Sequence, residues 1–435
     1  MNVSIETLTA KLQNELGADA VELDPQVLSS HSVDGKVPTV ACFPSTAAQI
    51  GRALVVCSEA QAATIPWGGG TAIAFGNIPR SVDVVLALEN LNKLIEHDDA
   101  NLTATVQAGM RLSALQEQLN QRNQFLAVDA PRPDRATIGG TVAANINGPR
   151  RILYGSVRDL VIGMKMVLAT GEQIKAGGKV VKNVAGYDLC KLFVGSLGTL
   201  GIITEVTFKM TPLPEAAATL IAQGPLDNCT KMAEEVFSST LLPAAITLFN
   251  GTAAKAEGFE TEAAAVAVWT EGFVETVERH AIDIQAIAQR IGLAVELLRD
   301  RQHSSFWQQI CNFGAGREIA LYRLTVPLGS LRPVLLQLEQ WSAANQPAEI
   351  LAHAGSATIF VQPNAAAHGI GWLSKLTEIA KEHHGYVVVM TAPSTLKKDL
   401  DVWGPAPPSL EIMREIKHKF DPQAILNPGR FISGI

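Results

Sequence analysis

The stretch most suggestive of chemistry is a glycine loop, PWGGGTAIAFGN, at residues 66–77. Three consecutive glycines have a high cost in chain entropy, so something must approach this backbone too closely for a side chain. Successive N–H groups in such a turn form a concave, positively polarised nest that suits a pyrophosphate. The loop lacks both the GxxxxGK[ST] pattern and the GxGxxG spacing, so it indicates a dinucleotide that is held without phosphoryl transfer. Taken alone, the loop is equally compatible with a wide hairpin turn.

The composition and charge of the chain indicate a soluble enzyme with more than one domain. Its 435 residues exceed one ordinary core, which predicts two or three domains. The formal net charge is −7 and there is no basic stripe, which argues against nucleic acid as a partner. No apolar run approaches membrane-spanning length, and the N-terminal segment lacks the apolar core of a signal peptide. We therefore expect a cytoplasmic protein without a transmembrane segment.

The five cysteines lie far apart in the sequence. No pair has the spacing of a CxxC metal or iron–sulfur motif, and a scattered set suits a reducing compartment. Isolated cysteines of this kind are typically small buried hydrophobic residues. We therefore expect no cluster in this chain through which electrons could leave. The five are Cys42, Cys57, Cys190, Cys229 and Cys311.

Strands and helices alternate around the glycine loop. Their apolar patterns predict a mixed α/β unit built around a small sheet. Glycines and small residues concentrate over residues 129–210, where a predicted hairpin turns at residues 169–172. The predicted strands are 39–46, 62–67, 81–88 and 103–109, and the predicted helices are 46–60 and 111–123.

After residue 214 the pattern changes to a unit of strand, helix, strand, strand and helix that is used twice. This order predicts an antiparallel sheet with helices on one face, as in a duplicated, ferredoxin-like βαββα arrangement. The last stretch, 404–435, holds a proline-rich linker, a helix and the tail DPQAILNPGRF. The predicted fold class is therefore α+β.

Four ordered motifs resemble the FAD-binding domain of the vanillyl-alcohol oxidase/PCMH flavoprotein superfamily. They are the glycine loop, ATIGGTVAANINGP at 136–149, YGSVRDLV at 154–161 and GSLGTLGIITE at 195–205. The resemblance covers roughly 35–215 and the C-terminal tail, and within the superfamily the GlcE-like FAD-binding subunits of bacterial glycolate oxidase are the most similar. It implies three units: a PCMH-type FAD-binding domain of two α/β subdomains at 1–215 (core 35–213), a cap domain at 216–403, and a C-terminal segment at 404–435 that returns to the FAD domain.

The resemblance implies noncovalent FAD that rests on backbone groups. Many relatives attach FAD through a histidine near the loop, but residues 66–77 contain none, and the nearest, His31 and His97, lie in no motif. A side chain at Gly69 or Gly140 is expected to abolish flavin binding with little loss of fold. The loop would hold the pyrophosphate, a second wall would lie against the flavin, and Gly155 and Ile203 would contact the two ends of the cofactor. The implied residues are Pro66, Trp67, Gly68, Gly69, Gly70, Thr71, Ala72, Pro131, Thr137, Ile138, Gly139, Gly140, Ala143, Asn145, Gly155 and Ile203.

Flavin oxidation of a 2-hydroxy acid needs a carboxylate anchor, and a base or metal that takes the hydroxyl proton. The candidate catalytic residues are Arg323 in LYRLTVP and His353 in LAHAGSATIFVQ. Arg323 could point from a cap strand towards the flavin, or it could be an exposed or ion-paired arginine. Lys182 in KNVAGYD belongs to a family motif, and we expect it to have a local role at the edge of the flavin domain.

The metal-binding residues of the catalytic relatives have only partial counterparts here. Those relatives carry a His-x6-His strand and a later Glu-His pair. His353 matches the first histidine, but the second position is Phe360. Ala367 precedes His368 where a glutamate would stand, and Leu197 replaces the acid of GSEGTLG. We therefore expect no metal site.

These features together predict the FAD-binding subunit of a glycolate oxidase-type complex. It would act with a catalytic flavoprotein subunit and an iron–sulfur subunit on glycolate or D-lactate, and any membrane association would come through those partners. Two alternatives remain open. One is a stand-alone FAD-dependent 2-hydroxyacid dehydrogenase that uses Arg323 and His353, and the other is a non-catalytic scaffold that has lost the flavin.

Overall fold

Two sheets and a small ribbon form the N-terminal half of the chain. The computed structural model describes residues 4–178, 187–256, 258, 263–317, 319–365 and 369–435. The strands of this half are β1 (Val21–Glu22), β2 (Val40–Cys42), β3 (Thr64–Trp67), β4 (Val84–Ala87), β5 (Leu94–Asp98), β6 (Thr103–Gln107), β7 (Gln124–Phe125), β8 (Val161–Val167), β9 (Gln173–Gly177), β10 (Ile202–Lys209) and β11 (Thr211–Pro212).

The first sheet delivers the glycine loop to the centre of the molecule. Its order is β1-β2-β4-β3, with β2, β4 and β3 parallel and β1 antiparallel at one edge. The loop begins where β3 ends. The second sheet is antiparallel in the order β5-β6-β10-β8-β9, and β7 and β11 form the ribbon. The predicted hairpin is confirmed, because β8 and β9 pair on either side of residues 169–172.

Eight helices of the N-terminal half are described. The predicted helix after β2 is confirmed: the Thr46 side chain accepts a hydrogen bond from Gln49 N at 3.2 Å and so caps its first turn. The helices are α1 (Ile5–Leu16), α2 (Pro25–Ser30), α3 (Ala47–Ala60), α4 (Leu112–Asn120), α5 (Ile138–Ala143), α6 (Arg151–Tyr154), α7 (Val157–Leu160) and α8 (Cys190–Phe193).

One large antiparallel sheet with its own helices forms the cap. Its strands are β12 (Ala216–Gly224), β13 (Ala245–Phe249), β14 (Ala264–Gly272), β15 (Ala294–Arg299), β16 (Leu321–Thr325), β17 (Ala348–His353), β18 (Thr358–Pro363) and β19 (Tyr386–Thr391). The helices that follow in chain order are α9 (Leu226–Ser238), α10 (Gly251–Ala256), α11 (Val274–Ile291), α12 (Asp300–Cys311), α13 (Leu331–Ala344), α14 (Gly369–Glu382), α15 (Ser394–Lys397) and α16 (Leu410–Phe420), the last of which lies in the C-terminal segment.

The predicted duplication is visible in the strand order of the cap. The eight strands run β15-β12-β14-β13-β17-β18-β16-β19, so two four-stranded copies meet where β13 pairs with β17. The longer helices α9, α11, α13 and α14 cover one face, with a core that includes Met232, Ile284 and Leu376. The sequence did not predict α12. Its Phe306 and Trp307 pack on the opposite face of the sheet, which faces the N-terminal half.

The C-terminal segment returns to the N-terminal half. Thr64 N in β3 donates to Ile425 O at 2.7 Å. Lys417 of α16 is buried, and its Nζ donates to Thr199 O at 2.8 Å and to Asp421 at 2.6 Å. The division of the chain into units 1–215, 216–403 and 404–435 is our proposal, and these contacts support the last boundary.

Replacing Lys417 with methionine should loosen this anchor, because Asp421 would be left buried without its counterion. We expect a loss of about 3–5 kcal/mol in the free energy of unfolding, measured by urea titration. Lys419→Met is the matched control, since Lys419 lies exposed on the same helix and should change stability by less than about 0.5 kcal/mol. Equal losses in the two variants would show that the buried pair does not anchor the segment.

Candidate cofactor and substrate site

The glycine loop presents a row of unused backbone donors. Within the described chain, none of the N–H groups of residues 68–71 donates a hydrogen bond to a protein acceptor. Gly70 has a φ of +70°, which turns the chain back over these groups. Buried or half-buried backbone donors are nearly always paired, so four consecutive free donors indicate a site for an anionic ligand.

The first glycines of the loop are also required by the protein itself. A Cβ on Gly69 would lie 1.7 Å from Arg135 O, and one on Gly68 would lie 2.2 Å from Thr137 Oγ1. The group that approaches the backbone here is therefore a neighbouring segment of the same chain. This corrects the expectation for Gly69, because a side chain at this position would displace the 132–137 segment and would not spare the fold.

Gly140 has more room for a side chain than Gly69, and its place in the flavin site stays a prediction. It lies in α5, whose first turn is capped by Thr137, and the Thr137 side chain accepts from Gly140 N at 3.3 Å. A Cβ on Gly140 would meet only Thr137 Oγ1, at 3.1 Å. The open side of this glycine faces the cleft in front of the loop.

Two adjoining cavities of about 530 and 410 Å³ occupy this cleft. Four expected residues do not line these cavities. Pro131 borders a third cavity, Ile138 is a buried residue of α5, and the other two are Asn145 and Gly155. These four assignments, like the other twelve, stay predictions. The twelve expected residues that do line one or both cavities are Pro66, Trp67, Gly68, Gly69, Gly70, Thr71, Ala72, Thr137, Gly139, Gly140, Ala143 and Ile203.

Sequence reasoning missed several cavity residues. Leu197 and Gly198 come from the GSLGTLG motif, which was recognised without being assigned to the site. Asn427 and Arg430 come from the tail NPGR, more than 350 residues from the glycine loop. The GSLGTLG motif was the available signal for Leu197 and Gly198. Only the fold shows that these residues and the two tail residues reach the cleft.

The two histidines nearest the loop in sequence already have partners. The His31 ring lies 4.9 Å from the Trp67 ring, and its Nδ1 is 2.8 Å from Val27 O. His97 Nε2 is 2.9 Å from the Gln124 side-chain oxygen. Hydrogen bonds to the protein therefore account for a nitrogen of each ring.

The third cavity, of about 600 Å³, lies between the cap sheet and the N-terminal half and contains Arg323. The Arg323 side chain extends from β16, and its guanidinium carbon is 6.0 Å from the centre of the Phe75 ring. Its Nε is buried without a hydrogen-bond partner, and the described residues form no ion pair with it. Burial lowers the pKa of Arg323, and the nearby charge of Arg151 lowers it further. This cation is therefore half-buried and has no ion-pair partner among the described residues, which favours a role in holding an anion.

His353 lines the same cavity as a neutral imidazole. Its Nδ1 is 3.1 Å from Thr247 Oγ1, and its ring lies edge-on to Phe360 at 5.6 Å. Burial lowers the pKa of His353 to about 4, although the charge of Asp129 works in the opposite direction. At neutral pH this nitrogen base is unprotonated but weak.

Part of the predicted chemistry falls outside the described residues. Lys182 and His368 both belong to segments, 179–186 and 366–368, that the structure does not describe. Over the segments that it does describe, there is no group of three or more His, Cys, Asp or Glu side chains placed to hold a metal ion. The same segments contain no helix with the length and apolar character needed to cross a membrane.

Comparison with known proteins identifies the family. A family model described as an FAD binding domain matches residues 38–177. Glycolate oxidase subunit GlcD of Bacillus subtilis is 30% identical over 437 residues, covering 91% of this chain and 89% of that protein. The chain belongs to the family of FAD-dependent 2-hydroxyacid dehydrogenases. This family member is therefore an FAD-dependent oxidoreductase, and FAD is its cofactor.

Two further similarities agree with this family. A D-lactate dehydrogenase of Archaeoglobus fulgidus is 28% identical over 420 residues, covering 90% of this chain and 91% of that protein. A solved structure of alkyldihydroxyacetonephosphate synthase superposes with a TM-score of 0.74 at 18% identity, covering 99% of this chain and 89% of the other. The predicted PCMH-type fold is thereby confirmed. The free donors of the glycine loop and the cleft in front of them fit the pyrophosphate and flavin of this cofactor.

Gly140→Val should remove FAD without unfolding the protein, because the new side chain would project into the cleft and away from the sheet. We expect the variant to purify without flavin while its free energy of unfolding changes by about 1 kcal/mol or less. Gly329→Val is the matched control, since a Cβ there meets nothing within 4 Å, and it should keep its flavin. Full flavin occupancy in Gly140→Val would show that this wall does not face the cofactor.

Acid precipitation should release all of the yellow colour into the supernatant, because the loop at 66–77 contains no histidine that could attach the ring. The measurement is the absorption spectrum of the supernatant and of the redissolved pellet. Colour that stays with the pellet would contradict noncovalent binding.

Proposed function

We propose that this protein is the GlcE-like, FAD-binding component of a glycolate oxidase-type complex. One observation carries the proposal: the cavity beneath the cap combines an unpaired cation with a weak base. Arg323 offers a guanidinium that forms no ion pair with any described residue, and His353 has a pKa lowered to about 4. The site is thus better equipped to bind a 2-hydroxy acid than to deprotonate it.

The proposed substrate class rests on the cation in the cavity and on the named relatives. Arg323 would hold the carboxylate of a small 2-hydroxy acid, glycolate or D-lactate, by a charge-assisted hydrogen bond. Apolar side chains such as Leu321, Leu351 and Met390 would exclude water from its other face. Bound FAD supplies the hydride acceptor. Relatives named for glycolate and for D-lactate support this class.

The site is poorly equipped to accept the proton of the substrate hydroxyl. His353 could accept it, but a base with a pKa near 4 is poorly matched to neutral pH, and well-matched general-base help contributes about 10²–10⁴ in rate. We therefore assign rapid turnover to a partner, a catalytic flavoprotein subunit. An iron–sulfur subunit would take the electrons onward, since the five cysteines of this chain are free and dispersed.

The location and the alternatives follow from the same residues. We propose a cytoplasmic protein whose membrane association, where it occurs, comes through its partners. A stand-alone 2-hydroxyacid dehydrogenase is the second candidate, and the free Arg323 guanidinium specifically favours it. The free donors of the glycine loop weigh against a scaffold that has lost FAD.

Rapid mixing of the purified FAD-loaded chain with glycolate or D-lactate tests the proposal. We expect flavin bleaching to be about 10²–10⁴ slower than after addition of a catalytic subunit, because only the weak base is present. Fast bleaching by the chain alone would overturn the subunit role and favour the stand-alone enzyme. A protein that stays colourless after incubation with FAD would favour the scaffold.

A titration of the FAD-loaded protein with oxalate, a small dicarboxylate, tests Arg323 as the carboxylate anchor. The variant is Arg323→Gln. We expect the dissociation constant for oxalate, read from the flavin spectrum, to rise at least about tenfold. Arg317→Gln is the control, because Arg317 is 42% exposed and already pairs with Glu349 at 2.7 Å. Equal affinities in both variants would show that Arg323 does not anchor the carboxylate.

A further inference from the structure

The C-terminal tail places two buried polar side chains against the cavity in front of the glycine loop. Asn427 is 5% exposed and Arg430 is 2% exposed, and both line the cavity that the loop forms. They lie far outside residues 38–177, which the FAD-binding family model matches. Each side chain has one polar atom without a partner.

Arg430 is fixed by hydrogen bonds but has no counterion among the described residues. Its Nη2 donates to Ile73 O at 2.6 Å and also to Phe75 O, whereas its Nη1 is buried without any hydrogen-bond partner. The nearby Asp34 is engaged by Lys397 at 2.7 Å, and no described residue forms an ion pair with Arg430. Burial lowers the pKa of Arg430 to about 10. Burying a fixed guanidinium without a counterion costs free energy. The cavity therefore favours a ligand that brings a hydrogen-bond acceptor or a negative charge.

Asn427 requires a hydrogen-bond donor from the ligand, whereas Arg430 requires an acceptor. Its Nδ2 donates to Leu197 O, which fixes the orientation of the amide and leaves Oδ1 as an acceptor. This Oδ1 is buried without a partner. The ligand must therefore bring a donor to Asn427 and an acceptor to Arg430. An ionised pyrophosphate has no donor, so it satisfies only the second requirement.

We propose that Asn427 and Arg430 bind the pyrimidine edge of the flavin ring. The ring N3–H would donate to Asn427 Oδ1, and a neighbouring ring carbonyl would accept from Arg430 Nη1. The guanidinium charge would also stabilise the reduced flavin anion and raise its reduction potential, because charge near the ring tunes its electronics. This inference rests only on FAD binding and is independent of the proposed subunit role.

Arg430→Met separates this assignment from a role at the pyrophosphate. We expect the dissociation constant for FAD to rise at least about tenfold, while that for ADP, which has the pyrophosphate without the ring, changes less than about twofold. The midpoint potential of the remaining bound flavin should shift to more negative values, and Arg430→Lys should restore part of that shift. Parallel losses for FAD and ADP, or an unchanged potential, would overturn the proposal.

A chemical probe tests Asn427 in the unaltered protein. FAD methylated at ring N3 lacks the donor, so we expect the wild-type protein to bind it at least about tenfold more weakly than FAD. Equal affinity for the two cofactors would overturn the proposal and would favour a contact of the tail with another part of FAD, such as the ribityl chain. This measurement also keeps the proposal testable if Arg430→Met fails to fold.

Arg80→Gln is the matched control for disturbance of the tail. Arg80 Nη2 donates to Gly434 O of the same tail at 2.6 Å, but Arg80 lines neither of the cavities in the cleft. It should keep both the FAD affinity and the potential of the wild type. A loss in Arg80→Gln equal to that in Arg430→Met would attribute the effect to the tail as a whole and overturn the specific contact.

Discussion

An ion-pair cluster around Arg150 holds the two halves of this molecule together, next to the cavity beneath the cap. Arg150 Nη2 is 2.6 Å from Asp129 on its own side, and its Nη1 is 3.9 Å from Glu271 of the cap. Its guanidinium also lies 4.6 Å from the centre of the Trp269 ring. Tyr154 completes the cluster by donating to Glu271 at 2.5 Å. Lifting the cap would leave buried charges unpaired, and breaking such a pair typically costs about 3–5 kcal/mol.

The cluster also bears on the charge of the cavity beneath the cap, which contains the cation Arg323. Asp129 lines the cavity but is already engaged by Arg150, so it does not neutralise Arg323. Burial raises the pKa of Glu271, and its bond to Tyr154 and the charge of Arg150 oppose that rise. The acids near the cavity are thus used to join the two halves. This arrangement is consistent with the proposed role of Arg323 in holding an anion.

The buried cations of this protein fall into two groups with different consequences. Lys397 and Lys417 each have a carboxylate partner, at 2.7 and 2.6 Å, and stabilise the fold without any ligand. Arg323 and Arg430 have no such partner among the described residues. Their desolvation lowers the stability of the free protein, and an anionic ligand would offset that cost by binding only the folded state. The contrast supports the ligand sites proposed at Arg323 and Arg430 without reference to any relative.

The sequence by itself determined the local elements and the family. The glycine loop, the hairpin at residues 169–172 and the repeated cap unit were predicted because each depends on short-range patterns of glycine, turn residues and apolar spacing. The same motifs carried the resemblance that implied FAD. The sequence also placed Gly140 in the wall of the cleft, since a backbone requirement of this kind is local.

Only the tertiary structure decided which residues meet. Gly69 must lack a side chain because Arg135 O lies against it, a contact between segments whose approach no local pattern specifies. Helix α12 was missed, since its burial depends on a cap face that exists only after the sheet has formed. Arg323 was ambiguous between a paired and a free cation, and only the packed structure shows that it forms no ion pair with any described residue. Asn427 reaches the cleft from the opposite end of the chain, and this approach too depends on long-range packing. Partners, burial and unpaired polar atoms are properties of the packed molecule, and a sequence pattern cannot encode them one segment at a time.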